Sequence, residues 1–114
     1  MDELSAVFDA LANEHRRRIV RALAIRPASV SELAALCDLS LPAIHKHIQA
    51  LESAAMVRRR KIGRVSFLAL QRAPLRSLQT WVDEFHPWWG DDSESLETYA
   101  NHFAWQSSAT KESP

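Results

Sequence analysis

The stretch "SVSELAALCDLSLPAIHKHIQALESAAMV", residues 29–57, constrains the fold more than any other part of the chain. Ser29 and Glu32 stand three apart before an apolar pair. That is the spacing of a capping box, in which the serine oxygen and the glutamate each satisfy an orphan backbone N–H. It predicts a short helix from about Val30 to Cys37. "DLS" leaves room only for a tight connection. Ser40 then caps a second helix, and Pro42 falls in its first turn, where the missing N–H costs little. Two helices joined this closely form a helix-turn-helix, expected over residues 30–54.

The second helix has two sides. At about 100° per residue, Ile44, Ile48, Leu51 and Ala55 share one side, and Pro42, His45, Lys46 and Gln49 lie opposite. His47 falls at the edge of the apolar stripe. His45 and His47 are about 200° apart, so they point away from each other. A metal or acid–base pair on one helix wants i, i+3 or i, i+4 spacing. With no Gly-rich phosphate loop, nucleophile elbow or metalloprotease motif, the sequence does not read as an enzyme.

Upstream, "LSAVFDALAN" places Leu4, Val7, Phe8 and Leu11 at helical spacing. Asn13 is placed to cap "EHRRRIVRALA", whose stripe is Ile19, Val20 and Leu23, and Pro27 lies near its end. Downstream, "VRRRKIGRVSFLAL" predicts a hairpin with strands at about 57–62 and 65–70. Gly63–Arg64 forms its turn, and Val65, Phe67 and either Ala69 or Leu70 supply its alternation. Four basic residues, Arg58, Arg59, Arg60 and Lys61, run along it, with Arg64 at the tip. A helix-turn-helix followed by such a hairpin is a helix-turn-helix with a wing, here over 57–70.

The remaining third differs. "PLRSLQTWVDEF" is helical, with Leu75, Leu78, Trp81, Val82 and Phe85 on one side. "HPWWGDD" predicts a kink or break. "SESLETYANHFAW" resumes helical spacing with Leu96, Tyr99, Ala100 and Phe103 apolar. The polar tail 106–114 is expected to be disordered. The expected organisation is one domain over 1–105, mainly α with a small β-hairpin, whose C-terminal helices occupy 75–103.

The 114 residues carry zero formal net charge, but the charge is divided. Residues 1–72 hold 12 Lys and Arg against 7 Asp and Glu; residues 73–114 hold 2 against 7. A basic binding region beside an acidic segment fits that division. No apolar run approaches the ~20 residues needed to span a bilayer. The N-terminus is acidic before it is basic, the wrong order for a secretory signal. One cysteine, Cys37, excludes an internal disulfide framework. A cytoplasmic location and no membrane partner are expected.

The outward residues suit double-stranded DNA. The second helix of such a pair fits a major groove about 12 Å wide. Lys46 can pair with guanine acceptors or phosphate, Gln49 can make a two-point contact with adenine, and His45 can donate to a base or a phosphate. Leu41 and Pro42, beside the cap Ser40, can pack on a thymine methyl. Arg58, Arg59, Arg60, Lys61 and Arg64 suit contact with the DNA backbone or the minor groove, which contributes affinity rather than sequence choice.

On these residues the chain resembles the ArsR/SmtB family of bacterial winged-helix repressors. The matching segments are "FDALANEHRRRIVRALA", "SVSELAALCDLSLPAIHKHIQALESAAMV" and "GRVSFLAL", and the likeness covers about residues 4–103. The characteristic run is carried by Ser29, Val30, Glu32, Leu33, Ala34, Leu39, Ser40, Pro42, Ala43, Lys46, His47 and Ile48. The resemblance implies a homodimer on an imperfect palindromic operator, with first and last helices in the dimer contact. Its residues would include Leu4, Phe8, Leu78, Trp81, Val82, Phe85, Trp88, Trp89, Leu96 and Tyr99. Three positions depart from the pattern. His45 stands where the family has a small polar residue, Ala55 where it has glycine, and Pro87 and Gly90 interrupt what is often a continuous last helix.

Metal-sensing relatives use a Cys-x-Cys pair in the first helix of the DNA-binding pair; here those positions are Ala35 and Cys37. A second family site, Asp-x-His with a distant His-x-x-Glu on the last helix, is not spaced that way by Asp83, His86 and His102. No metal or cofactor is expected, and Cys37 reads as a small packing residue; a site of another pattern, drawn from His86, His102, Asp91 or Asp92 across a dimer, is the alternative, against the usual reading of such residues as solvated. The aromatic residues Trp81, Trp88, Trp89, Tyr99, Phe103 and Trp105 fit a dimer core, or a pocket for a small apolar effector at that interface. Two alternatives to the repressor remain at this level. One is a winged-helix module for protein–protein contact, and the other a metal- or thiol-gated sensor through Cys37.

Overall fold

The computed structural model describes residues 2–86 and 90–112. The chain divides into two compact units, residues 1–81 and 82–114. Helix α1 spans Glu3–Leu11 and α2 spans Glu14–Ile25. Asp2 caps α1 by accepting from the Ser5 N–H, and Asn13 caps α2 by accepting from the His15 and Arg16 N–H groups. The basic run after Asn13 closes the end of α1. Arg16 donates from Nε to the Ala10 carbonyl at 2.7 Å and from Nη2 to the Asp9 carbonyl at 3.0 Å; Arg17 donates to the Leu11 carbonyl at 2.8 Å. The last carbonyls of a helix have no partner within it and carry partial negative charge, so guanidinium donors suit them.

Strand β1 is Ala28–Ser29, and α3 follows directly as Val30–Cys37. The capping box is present: the Ser29 hydroxyl accepts from the Glu32 N–H at 3.1 Å, and the Glu32 carboxylate accepts from the Ser29 N–H at 3.2 Å. That backbone donor first, and the Arg26 guanidinium second, hold the Glu32 carboxyl below its ordinary range. Helix α4 is Leu41–Ser53, capped by Ser40, whose hydroxyl accepts from the Ala43 N–H.

Both helices of the pair end in a Schellman motif without glycine. At α3 the Leu39 N–H reaches the Ala34 carbonyl, and Asp38 sits at φ 54°. At α4 the Met56 N–H reaches the Leu51 carbonyl at 3.0 Å, the Ala55 N–H reaches that of Glu52 at 2.9 Å, and Ala55 sits at φ 57°. Aspartate tolerates the left-handed region, whereas alanine is strained there.

Strands β2 (Val57–Ile62) and β3 (Val65–Leu70) form the wing, with Gly63 in its turn at φ 62°. The sheet order is β1-β3-β2, all antiparallel, with Ala28 opposite Leu68 and Arg59 opposite Leu68 on the other side. The two-residue β1 is too short to leave an alternation in the sequence. The phase of β3 also differs from the expectation. Leu68 is the buried residue and Leu70 packs against the core, whereas Val65 is exposed and Phe67 half-buried. Leu68 and Leu70 share a face with Val57, which closes over the helices. The core comprises Val7, Ile19, Leu23, Leu33, Ile44, Ile48, Leu51, Met56 and Leu68, fed by α1–α4 and the sheet.

Helix α5 is Ala73–Asp83 and α6 is Ser95–Glu112. The last helix is therefore two helices. Gly90 sits at φ 100°, and Asp91 gathers the Ser93 and Glu94 N–H groups and the Ser93 hydroxyl ahead of α6. Helical backbone continues through Glu112, where the sequence places a disordered tail from residue 106. No proline or glycine follows Trp105 before Pro114 to stop it. Trp88 and Trp89, with Pro87, lie outside the described residues.

Candidate nucleic-acid interface

Helix α4 turns Ile44, Ile48 and Leu51 into the core with no residual exposure. The opposite side is open to solvent, and Ser40, Leu41, Pro42, His45, Lys46 and Gln49 are all exposed on it. The two-sided pattern read from the sequence is thus the observed one. His47 is half-buried on the packed side, beside α2 rather than in the outward row.

Strand alternation divides the basic run of the wing. Arg58 and Arg60 share one face with Ala69 and Phe67, their cross-strand partners, and line a groove of about 150 Å³ with Pro27. Arg59 and Lys61 face the other way. Arg59 is held: its Nη2 lies 2.8 Å from the Glu52 Oε1 on α4, and both side chains are about two-thirds buried. Lys61 and Arg64 are exposed. The wing therefore leaves Arg58, Arg60, Lys61 and Arg64 exposed, while Arg59 ties it to α4. The alternation could have divided the run in the sequence; Glu52 as a partner could not have been found there.

A groove of about 210 Å³ separates α4 from the wing tip. Leu41 and His45 form one wall, Arg64, Val65 and Ser66 the other, and Ser31 at the start of α3 belongs to its floor. Ser31 and Ser66 carry no sequence signal, because only folding brings them to Arg64.

The sensor positions separate. Cys37 is buried and its Sγ lies 3.9 Å from the His15 carbonyl; burial pushes its thiol pKa up, with an opposing effect from Arg18. Ala35, two residues earlier, is exposed on another side of α3. Among the described residues, no three His, Cys, Asp or Glu side chains converge as metal ligands. In the first unit, Phe8 and Trp81 meet edge to face, with ring centroids 5.2 Å apart and planes at 82°. Both rings stay partly open, at 41% and 38% exposure. Leu4 and Leu78 are half-buried. In the second unit Val82, Phe85, Leu96, Tyr99, Phe103 and Trp105 are exposed. No described helix is long and apolar enough to cross a membrane.

A helix-turn-helix whose second helix presents a polar row beside a basic hairpin is a winged-helix DNA-binding module. Residues 11–60 match the helix-turn-helix domain family. The chain is 37% identical over 78 residues to the HTH-type transcriptional regulator Rv2034 of Mycobacterium tuberculosis, spanning 68% of this chain and 73% of that one. Among solved structures it resembles an ArsR family transcriptional regulator at TM-score 0.68 and 39% identity, covering 72% of this chain and 84% of the other. It also resembles a homodimeric winged helix-turn-helix DNA-binding domain from Mycobacterium bovis at TM-score 0.62 and 28% identity, covering 73% and 81%. The chain belongs to the ArsR/SmtB family of winged-helix regulators. It is a DNA-binding transcriptional regulator and not an enzyme.

Proposed function

We propose that the protein is a repressor that binds an imperfect palindromic operator as a homodimer. Helix α4 enters the major groove, with Lys46 and Gln49 on base edges and Leu41 and Pro42 against thymine methyls. Arg58, Arg60, Lys61 and Arg64 contact the DNA backbone. The observation that carries this reading is the exposed row on α4 set beside the open tip of the wing. The dimer contact draws on Leu4, Phe8, Leu78 and Trp81 of the first unit and on Val82, Phe85, Leu96 and Tyr99 of the second. A small apolar effector that enters this aromatic-rich contact would relieve repression. The test is competition at physiological salt between a palindromic operator and a random duplex, with sedimentation recording the stoichiometry. Selective binding of two chains per operator is expected, and equal affinity for both duplexes overturns the reading.

A further inference from the structure

We propose that the groove between α4 and the wing tip is a phosphodiester subsite, where His45, Arg64, Ser66 and Ser31 clamp one operator strand. The proposal rests on the reading of α4 as the major-groove helix. If α4 lies in the major groove and the wing reaches the adjacent minor groove, one sugar–phosphate strand separates the two. That strand must cross between α4 and the hairpin, and this groove is what the protein presents there.

The lining suits such a strand. Arg64 supplies fixed positive charge and a fork of N–H donors, His45 an imidazole N–H, and Ser31 and Ser66 hydroxyl donors. Leu41 and Val65 supply apolar surface, about 50% and 44% exposed, on which a deoxyribose can rest. No carboxylate lines the groove, whereas the apolar groove between α2 and α3 contains Glu32. The geometry also separates His45 from its neighbours on α4. Lys46 and Gln49 are exposed but do not line the groove, so they remain for the bases while His45 serves the strand. Phosphate contacts fix register rather than sequence, so His45 sets where α4 sits in the groove.

The test uses the full chain and operator duplexes carrying a single neutral methylphosphonate at successive positions. In the wild type, one position per half-site is expected to lower affinity on the order of tenfold, the scale of a lost charge-assisted contact. In Arg64→Gln, and separately in Ser66→Ala, the penalty at that position is expected to shrink while penalties elsewhere persist. His45→Ala is expected to act at the same position with unchanged base preference. All three substitutions are at solvent-accessible positions, and circular dichroism with a thermal midpoint confirms folding. Penalties that no groove variant alters overturn the subsite alone. A His45→Ala change in base preference without loss of the positional effect overturns its role there. Absence of any salt-dependent duplex binding overturns the subsite and the DNA-reading assignment together.

Discussion

The imidazole rings of His15 on α2 and His47 on α4 lie with centroids 5.4 Å apart, inclined at 41°. Each has a buried Nδ1 without a hydrogen-bond partner among the described residues. Burial first, then Arg16, then His15, pulls the His47 pKa below its ordinary 6.5. The folded protein therefore binds this proton less readily than the unfolded chain. Above pH 6.5 both states leave His47 neutral and its environment costs nothing. As pH falls below that value the unfolded state takes up the proton first, and stability declines until the lowered folded pKa is reached. Urea midpoints from about pH 7.5 down to about 5.5 are expected to fall in the wild type and to flatten in His47→Gln. Equal slopes in the two proteins would contradict this account.

Ala55 holds the left-handed position at the end of α4. Relief of the Cβ strain outweighs the added chain entropy of glycine, so Ala55→Gly is expected to stabilise by about 1 kcal/mol. Chemical denaturation reads this directly, and a destabilised variant would show that the alanine methyl packs usefully.

Ser29→Ala removes one half of the capping box that starts α3. A loss of about 1 kcal/mol is expected, because the Glu32 N–H loses its acceptor. Ser29→Asp keeps an acceptor and is expected to retain most of that stability.

Glu52 and Arg59 tie α4 to β2. A double-mutant cycle on stability is expected to give a coupling of up to about 1 kcal/mol, since neither group is fully desolvated. In DNA binding, Arg59→Ala is expected to change the salt dependence less than Arg60→Ala or Arg64→Ala. An Arg59 effect equal to theirs would place it on phosphate instead.

Lys46→Ala and Gln49→Ala are expected to cost on the order of 1–3 kcal/mol each on the operator and to relax base preference. Phe8→Ala and Trp81→Ala are expected to weaken the dimer by on the order of 2 kcal/mol each, read as a concentration-dependent shift in sedimentation. A dimer indifferent to both would remove this aromatic pair from the contact.

Periodicity and caps made most of the fold legible. Ser29, Glu32, Ser40 and Pro42 bound two helices whose observed limits, Val30–Cys37 and Leu41–Ser53, follow from local chemistry. Gly63 marked the hairpin for the same reason. The phase of β3 was not legible, because "VSFLAL" is apolar on both faces and only packing selects Leu68. The outward row on α4 could be read from spacing alone. The groove could not, since Ser31, His45 and Ser66 come from three elements. Nor could the roles of Arg16 and Arg17: a basic run reads as a nucleic-acid patch until the carbonyls of α1 are placed beside it.

The two carbonyl bonds of Arg16 also join regions with different tasks. Its guanidinium grips the end of α1, the helix that carries Phe8, while its charge helps to lower the pKa of His47 on α4. A lysine at this position would lose the planar fork that lets one side chain hold both carbonyls at once.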